Sequence, residues 1–252
     1  MEKWALVTGA TVGIGQTFTE KLAAQGYNIV LTARNTEMLH TAAQRLEETY
    51  KVKTVVIPAD LSTQSDVVEK YIKEHQIDFL VNNAGFGLNQ AFSRTTVEDE
   101  QRMLDVLVSA PMRLTHAVLP QMRERRSGTI INVASVAAFI AGGHYSAAKS
   151  YVVVLSESLA VEAGRYGVKV SVLCPGFTHT EFHQRAGMKM GGLPKFMWLS
   201  SDHVVSQGLR DAEKGLVISV PGWQYKVLIA IIKIIPRHLV RRFSISLRSS
   251  QR

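Results

Sequence analysis

The sequence predicts an α/β protein with a doubly wound, seven-stranded parallel sheet flanked by helices on both faces. Seven short apolar runs rich in β-branched residues alternate with longer stretches of helical periodicity. Uninterrupted apolar runs indicate strands that are buried on both faces, as in parallel sheets with crossover helices. The length of 252 residues suits one large domain of this kind.

Each predicted element follows from its own stretch of sequence. The strand-like runs, in chain order, are Ala5–Thr8, Asn28–Ala33, Thr54–Ala59, Phe79–Asn82, Thr129–Val133, Lys169–Leu173 and Leu216–Val220. The stretches with helical spacing of apolar residues are 14–25, 36–49, 64–75, 97–125, 145–165, 203–213 and 223–240. Ligands of such sheets bind beyond the carboxyl ends of the strands, and we expect the functional residues there.

Composition narrows the classes of protein that fit the chain. The hydrophobic content of 46% and charged content of 20% are ordinary for a globular protein. A single cysteine, Cys174, rules out an internal disulfide and suits a reducing compartment, and its apolar surroundings indicate a buried, inert thiol. Met1-Glu2-Lys3 leads directly into the first strand, so no secretory signal peptide is predicted. We expect a cytoplasmic protein without a metal site.

The formal net charge of +8 is concentrated near the C-terminus. Residues 223–252 contain no acidic residue and seven basic ones, namely Lys226, Lys233, Arg237, Arg241, Arg242, Arg248 and Arg252. No stretch interleaves aromatic and basic residues as nucleic-acid-binding modules do, so nucleic acid is not a predicted partner. The apolar segment Tyr225–Ile235 is too short to span a bilayer, which needs ~20 apolar residues. Two alternatives remain for 223–252: peripheral contact with an anionic membrane, or docking on the domain or a second subunit.

A glycine-rich turn lies between the first strand and the first helix. It runs from Thr8 to Gly15, and glycines in such a turn let the backbone approach a pyrophosphate while the helix N-terminus supplies N–H groups. The spacing differs from the common G-x-G-x-x-G fingerprint, but the position favours a dinucleotide site. The residues predicted to bind the cofactor here are Gly9, Thr11, Gly13, Ile14 and Gly15.

Arg34 follows the second strand, where NAD-binding proteins usually carry a carboxylate for the ribose 2′-hydroxyl. The stretch Thr32-Ala33-Arg34-Asn35 has no carboxylate, and a guanidinium can instead pair with a 2′-phosphate. The sequence therefore favours NADP over NAD, and Thr11 is expected near the same adenosine end.

Tyr145 and Lys149 lie four residues apart, on one face of a predicted helix. A free tyrosine, with a pKa near ~10, is a poor acid or base at neutral pH. A neighbouring ammonium favours the phenolate, and we expect Lys149 to lower the pKa of Tyr145. Ser135, ten residues upstream, comes directly after a strand. Each of these residues alone has a plain structural interpretation, and their combination predicts catalysis.

Together these residues resemble the short-chain dehydrogenase/reductase family, whose motifs occur here in the right order. The matches are the glycine turn Thr8–Gly15, Asn82-Asn83-Ala84-Gly85, Ser135, Tyr145 with Lys149, and Pro175-Gly176 with Thr180. The resemblance covers most of the chain and implies a Rossmann-like fold. It also implies that further residues contact or flank NADP, namely Asp60, Leu61, Asn82, Ala84, Gly85, Tyr145, Lys149, Pro175, Gly176 and Thr180.

The resemblance implies a reaction as well. Tyr145 would give a proton to a carbonyl oxygen, Ser135 would hydrogen-bond that oxygen, and Lys149 would hold the nicotinamide ribose. We expect reversible, NADPH-dependent reduction of an apolar ketone or oxoacyl-type substrate by a homodimer or homotetramer. The alternatives are an NADP-binding regulatory or scaffold protein with little turnover, and an NAD-linked hydroxysteroid or hydroxyacyl dehydrogenase.

The chain departs from the family pattern at two places. Leu107 stands where relatives usually have an asparagine that holds a water beside the lysine, and leucine cannot hydrogen-bond a water through its side chain. The proton relay would then be slower, or would use a backbone carbonyl or Ser109 instead. The step from Ser135 to Tyr145 is about three residues shorter than usual, which is expected to reshape the substrate pocket. His144, beside Tyr145, is expected to be a partly exposed loop residue.

The predicted domain organisation is a single Rossmann-like catalytic domain over residues 1–222, with a substrate lid near 181–202. Methionines and aromatic residues in the lid suit an apolar ligand, although core packing explains them equally well. Residues 223–252 are predicted to be a basic amphipathic C-terminal extension of the same domain.

Overall fold

A computed structural model of the chain describes residues 2–88, 90–181, 194–236 and 238–240. The strands are β1 (Trp4–Thr8), β2 (Asn28–Ala33), β3 (Thr54–Pro58), β4 (Phe79–Asn82), β5 (Gly128–Val133), β6 (Val168–Leu173) and β7 (Ile218–Ser219). The helices are α1 (Gly13–Ala24), α2 (Thr36–Tyr50), α3 (Ser65–Glu74), α4 (Val97–Leu104), α5 (Ala110–Arg125), α6 (His144–Gly164), α7 (Ser201–Glu213) and α8 (Trp223–Ile234). Most of the predicted lid, residues 182–193, lies outside the described residues, as does the basic stretch 241–252.

The seven strands form one parallel sheet in the order β3-β2-β1-β4-β5-β6-β7. Strand order reverses next to β1, because Leu6 pairs with Val30 of β2 on one side and with Leu80 of β4 on the other. The predicted doubly wound parallel fold is confirmed. The reversal places the carboxyl ends of β1 and β4 beside each other, at the edge where such sheets bind ligands.

Hydrophobic cores cover both faces of the sheet. On one face, α1, α2, α7 and α8 bury residues such as Phe18, Leu39 and Tyr225 against the strands. On the other face, α3 and α5 bury residues such as Ile72 and Leu114. Because both faces are covered, the strands are almost continuously apolar, which is why their positions could be predicted from the sequence.

The long helix predicted over 97–125 is interrupted. A π-helical segment, Asp105–Ser109, separates α4 from α5 and contains Leu107. Pro111 has no N–H to donate to the Leu107 carbonyl four residues earlier, so the regular α-helical ladder lacks one hydrogen bond at this point. The backbone N–H of Ala110 bonds instead to the Asp105 carbonyl, five residues back.

The C-terminal elements are shorter than predicted. The last strand pairs with β6 only through Ile218 and Ser219, whereas the apolar run predicted a strand over 216–220. Within the stretch predicted over 223–240, α8 ends at Ile234, because Pro236 disfavours helical backbone at Ile235, and residues 238–240 are again helical. In the described part of the chain, no helix is long and apolar enough to cross a membrane.

Candidate active site

The predicted site residues converge at the carboxyl edge of the central strands. The glycine turn follows β1, the Asn-Asn-Ala-Gly motif follows β4, Ser135 follows β5 and the Pro-Gly motif follows β6. These four strands are adjacent in the sheet, so segments more than a hundred residues apart in sequence share one edge. The fold therefore assembles the motifs in one place.

The glycine turn depends on the absence of side chains. Gly9 and Gly13 have φ values of +65° and +56°, which disfavour other residues. A Cβ on Gly15 would lie 2.0 Å from the Gly9 carbonyl oxygen. The Asn83 side-chain amide holds the turn by donating to the carbonyls of Thr8 and Gly9, at 2.9 and 3.2 Å. Asn83 was not among the predicted site residues. Its role depends on contacts with residues that are 74 and 75 positions away in the sequence.

The N-terminus of α1 fits an anion. Val12 at the N-cap has no side-chain acceptor for the free N–H groups of the first turn, and that turn has no acidic residue. Gly13 and Ile14 are the first two residues of the helix. The helix dipole and these N–H groups together favour a phosphate group. A pyrophosphate is thus compatible with the residues present.

Asn82 belongs to a buried network of polar side chains. Its amide donates to Asn132 Oδ1 at 2.8 Å and to Thr115 Oγ1 at 3.0 Å. The Asn132 amide in turn donates to Ser156 Oγ at 2.9 Å. This chain joins β4 and β5 to helices α5 and α6. Asn82 therefore braces the sheet beneath the site, and no local sequence pattern indicates its partners Asn132 and Ser156.

Ser135, Tyr145 and Lys149 come together as predicted. The Tyr145 and Ser135 side chains hydrogen-bond to each other, and Ser135 Oγ also accepts from the Ala137 N–H at 3.1 Å. One turn further along α6, the Lys149 Nζ lies 5.8 Å from the Tyr145 ring centroid. Lys149 is buried and donates to the Val133 carbonyl at 2.8 Å. Two hydroxyl groups and an ammonium thus share one enclosed site.

The expected lowering of the Tyr145 pKa by Lys149 is wrong for this structure. Burial raises the pKa of Tyr145 well above its ordinary value, and the hydrogen bond from Ser135 offsets only part of this effect. Burial also lowers the pKa of Lys149 to about 8, against an opposing effect of Cys174. A raised pKa keeps the phenol protonated at neutral pH, which is the form that a proton donor requires.

Leu107 lies close to Lys149. A Cβ on Gly85 would lie 2.9 Å from Leu107 Cδ2 and 3.8 Å from Lys149 Nζ, so all three groups meet at one point. Leu107 is buried with Met103 and Ala148, and Tyr145 packs on the same cluster. The side chain of Leu107 therefore places hydrocarbon beside the Lys149 ammonium.

His144 is the first residue of α6 rather than a loop residue. Its Nδ1 lies 2.5 Å from the Glu100 carboxylate, which is buried and also accepts from Thr95 Oγ1 at 2.6 Å. The Phe92 ring packs edge-on against the imidazole at 5.6 Å. These contacts fasten the start of α6 to α4 and so fix the position of the adjacent Tyr145.

The adenosine end of the predicted site contains Arg34. Arg34 is exposed just after β2, and in the described part of the chain it has no ion-pair partner. Asp60 is engaged differently: burial raises its pKa, but hydrogen bonds from Ser62 and Arg102 outweigh this and keep the carboxylate ionised. Leu61 is buried in the core. Arg34 thus remains available to an anionic group.

The Pro175-Gly176 loop is tied to the C-terminal helix. Gly176 lies so close to the Tyr225 ring that a Cβ there would sit 2.0 Å from Tyr225 Cζ. The Tyr225 hydroxyl accepts from the Phe177 N–H at 2.9 Å and donates to the Met197 carbonyl at 2.5 Å. Thr180, after this loop, contacts the glycine turn, with its Cγ2 2.9 Å from the Cβ position of Gly13. Helix α8 is therefore part of the site's support.

Comparisons with known proteins agree with this geometry. An NADPH-bound short-chain dehydrogenase from Sphingobium yanoikuyae has a TM-score of 0.85 and 29% identity, covering 93% of this chain and 96% of that one. The bulky-bulky ketone specific alcohol dehydrogenase from Comamonas testosteroni has a TM-score of 0.79 and 29% identity, covering 93% and 95%.

A curated relative from Pongo abelii, named inactive hydroxysteroid dehydrogenase-like protein 1, is 34% identical over 192 residues. The match covers 71% of this chain but only 56% of that protein, so the chain spans little more than half of its length. The family model described as short chain dehydrogenase matches residues 3–190, which include the glycine turn, Ser135, Tyr145 and Lys149. With the motifs, the sheet order and this match in agreement, the chain belongs to the short-chain dehydrogenase family.

Proposed function

We propose that this protein uses NADPH to reduce the carbonyl group of a bulky apolar ketone or oxoacyl-type compound, in a reversible reaction. The observation that carries the proposal is the hydrogen-bonded pair of Ser135 and Tyr145 with Lys149 one helical turn away. This set lies at the same sheet edge as the glycine turn, where a dinucleotide would bring its nicotinamide.

The residues of the site have separate tasks in this reaction. NADPH, when bound, supplies the hydride that becomes bonded to the carbonyl carbon. The Tyr145 hydroxyl gives its proton to the carbonyl oxygen, and Ser135 donates a hydrogen bond to the same oxygen while negative charge develops there. The Lys149 ammonium, 5.8 Å from the ring centroid, stabilises the phenolate that remains.

The preference for NADPH rests on Arg34. Its guanidinium can form paired charge-assisted hydrogen bonds with a 2′-phosphate, and the stretch after β2 has no carboxylate that would repel this group. The Sphingobium yanoikuyae dehydrogenase, which is similar over almost the whole chain, is described as a complex with NADPH.

The preference for an apolar substrate rests on the surroundings of Tyr145. Phe86 and Leu88, which follow β4, pack on the same hydrophobic cluster as Tyr145. Trp198, which lies within the region predicted as a lid, stacks on His179 with ring centroids 4.7 Å apart. The similar Comamonas testosteroni enzyme is named for bulky ketones, which supports the size of the proposed substrate.

The direct test is a substrate panel. Oxidation of NADPH should be followed with the purified protein against alkyl and aryl ketones, aldehydes and oxoacyl thioesters of increasing size. We expect turnover that favours bulky apolar carbonyl compounds and that is faster with NADPH than with NADH. Tight NADPH binding without turnover on any compound would contradict the proposal.

Leu107 favours a second candidate, a cofactor-binding regulatory protein with little turnover. The hydrocarbon side chain lies beside Lys149 where relatives place an asparagine and a water. The relative from Pongo abelii that is 34% identical carries the word inactive in its name. Retention of Ser135, Tyr145 and Lys149 in one hydrogen-bonded site argues for catalysis in this chain.

We expect Leu107→Asn to raise kcat for carbonyl reduction roughly fivefold, well below the ~10²–10⁴-fold effect of a complete general acid. The amide would hold a water beside Lys149 and speed its reprotonation, although a buried amide costs about 1–3 kcal/mol of stability. Steady-state rates and the solvent isotope effect on kcat measure this change.

Leu107→Met is the matched control, since it keeps the site apolar and about the same volume. Equal rates and equal solvent isotope effects in both variants would show that Lys149 is not reprotonated through a water held by residue 107.

A further inference from the structure

The outer face of α8 is an exposed apolar stripe. Its members are Trp223, Val227, Ile231 and Ile234, with exposed fractions of 72%, 50%, 47% and 84%. Their spacing of four, four and three residues places them along one side of the helix. The opposite side anchors the helix in the core through Tyr225 and Ile229. Helix α8 therefore has two apolar faces, one buried in the core and one exposed on the surface of the protein.

Positive charge borders the stripe. Lys226 and Lys233 are exposed, and their helical positions lie between the stripe and the buried face. Lys233 reaches over the Phe139 ring, with Nζ 5.9 Å from its centroid. The sequence from 223 to 252 adds five arginines and no acidic residue. Both charged residues within α8 (Trp223–Ile234) are therefore cationic.

Helix α8, which carries the stripe, adjoins the candidate active site through its opposite, buried face. Tyr225 packs on Gly176 and hydrogen-bonds to the backbone of Phe177 and Met197. The Gln224 side chain donates to the Phe196 carbonyl at 3.0 Å, and the Phe196 ring is itself largely exposed. Exposed apolar side chains are therefore present both on α8 and at Phe196, within the region predicted as a lid.

We propose that α8 docks on the surface of an anionic lipid bilayer, with its axis parallel to the membrane and the stripe among the headgroups. An apolar stripe that contains tryptophan and is bordered by lysines has the features of an interfacial helix. Basic residues near it add attraction to anionic lipids. The helix has 12 residues, about 18 Å in length, which is shorter than a ~30 Å hydrocarbon core. It lies on the membrane and does not cross it.

The charge pattern favours this occupant over a second copy of the chain. If two copies met through the stripe about a twofold axis, Lys226 and Lys233 would come near the same lysines of the other copy. The segment 223–252 supplies no carboxylate to pair with them. Like charges across an interface disfavour association, whereas phosphatidylserine headgroups would neutralise them.

The test uses the full chain and vesicles made of phosphatidylcholine alone or mixed with phosphatidylserine. We expect the protein to float with the mixed vesicles, to bind those of phosphatidylcholine much more weakly, and to be released by salt. Val227→Glu/Ile231→Glu should lower the partition coefficient at least about tenfold. Lys226→Gln/Lys233→Gln should lower it roughly twentyfold, at about fivefold per lysine. Val67→Glu, at an exposed valine in α3, is the control and should bind normally.

Each result decides the proposal. NADPH binding by every variant, measured by fluorescence, confirms that the folds are intact, and the lysine pair tests the proposal even if the glutamate pair does not fold. Full-length protein that stays with the soluble fraction would overturn the proposal, as would stripe and lysine variants that bind vesicles like the wild type. A mass by analytical ultracentrifugation that falls to that of a monomer only in Val227→Glu/Ile231→Glu would assign the stripe to a second copy instead.

Discussion

Tyr145→Phe is expected to lower kcat for carbonyl reduction about 10³-fold or more while leaving NADPH binding within about threefold of the wild type. The substitution removes the hydroxyl that hydrogen-bonds to Ser135 and keeps the ring that packs on the cluster around Leu107. Since the pKa of Tyr145 is raised by burial, the wild-type residue holds its proton through the neutral pH range. The phenylalanine variant has no hydroxyl group and so cannot donate a proton to the carbonyl oxygen.

The matched control is Tyr151→Phe. Tyr151 is on the same helix as Tyr145, but its side chain is exposed. Rates from NADPH oxidation and dissociation constants from nicotinamide fluorescence should show no change in this variant. Substantial activity in Tyr145→Phe would require a different proton donor and would contradict the assigned chemistry.

Arg34→Asp is expected to weaken NADPH binding about 10²–10³-fold and to change NADH binding less than about threefold. A hydrogen-bonded charged pair contributes about 1.5–3 kcal/mol, and the new carboxylate adds repulsion toward a 2′-phosphate. The same carboxylate can accept a hydrogen bond from the ribose 2′-hydroxyl of NADH. Titrations of both cofactors into the wild type and the variant measure the ratio.

Arg165→Asp controls for the change in net charge. Arg165 is exposed at the end of α6, shortly before β6 begins, and therefore lies toward the amino edge of the sheet, opposite the site. Its replacement should alter both dissociation constants by less than about twofold at physiological salt. Equal weakening of NADPH and NADH by Arg34→Asp would remove Arg34 from the 2′-phosphate site.

The fold could be predicted because each strand is a continuous apolar run and each crossover helix has a clear period. Ser135, Tyr145 and Lys149 could be predicted as a set for a related reason. Residues that directly follow parallel strands meet at one edge of the sheet, whatever their separation in sequence. The position of the site could thus be predicted from the order of strands and helices along the chain.

Other features depend on distant contacts that no local pattern reveals. The Asn83 amide acts on the Thr8 and Gly9 carbonyls, and the Asn82 network requires Asn132 and Ser156 on other elements. The raised pKa of Tyr145 is a result of burial, which the hydrogen bond from Ser135 offsets only in part, whereas the sequence-based expectation rested on the neighbouring ammonium. Chain spacing gives the proximity of two groups but not their exposure to water, and exposure sets the sign of the pKa shift.

The break between α4 and α5 could be predicted only in part from the sequence. Pro111 is visible in the sequence, but a proline near the start of a helix is compatible with regular structure. Pro111 is an interior residue only because the helix continues through Asp105–Ser109. The π-helical geometry of this segment follows from the missing N–H of Pro111. Leu107 acquires its position beside Lys149 from this segment.

Transfer of deuterium from NADPH labelled at the nicotinamide 4-position is the most direct measurement of carbonyl reduction by this protein. With a bulky apolar ketone as acceptor, we predict an alcohol that carries one deuterium on the carbinol carbon, formed by the wild type and almost absent with Tyr145→Phe. Mass spectrometry of the product identifies both the bond formed and the direction of reaction. Labelled NADPH that binds to the wild-type protein yet yields no deuterated alcohol from any carbonyl compound would contradict the account.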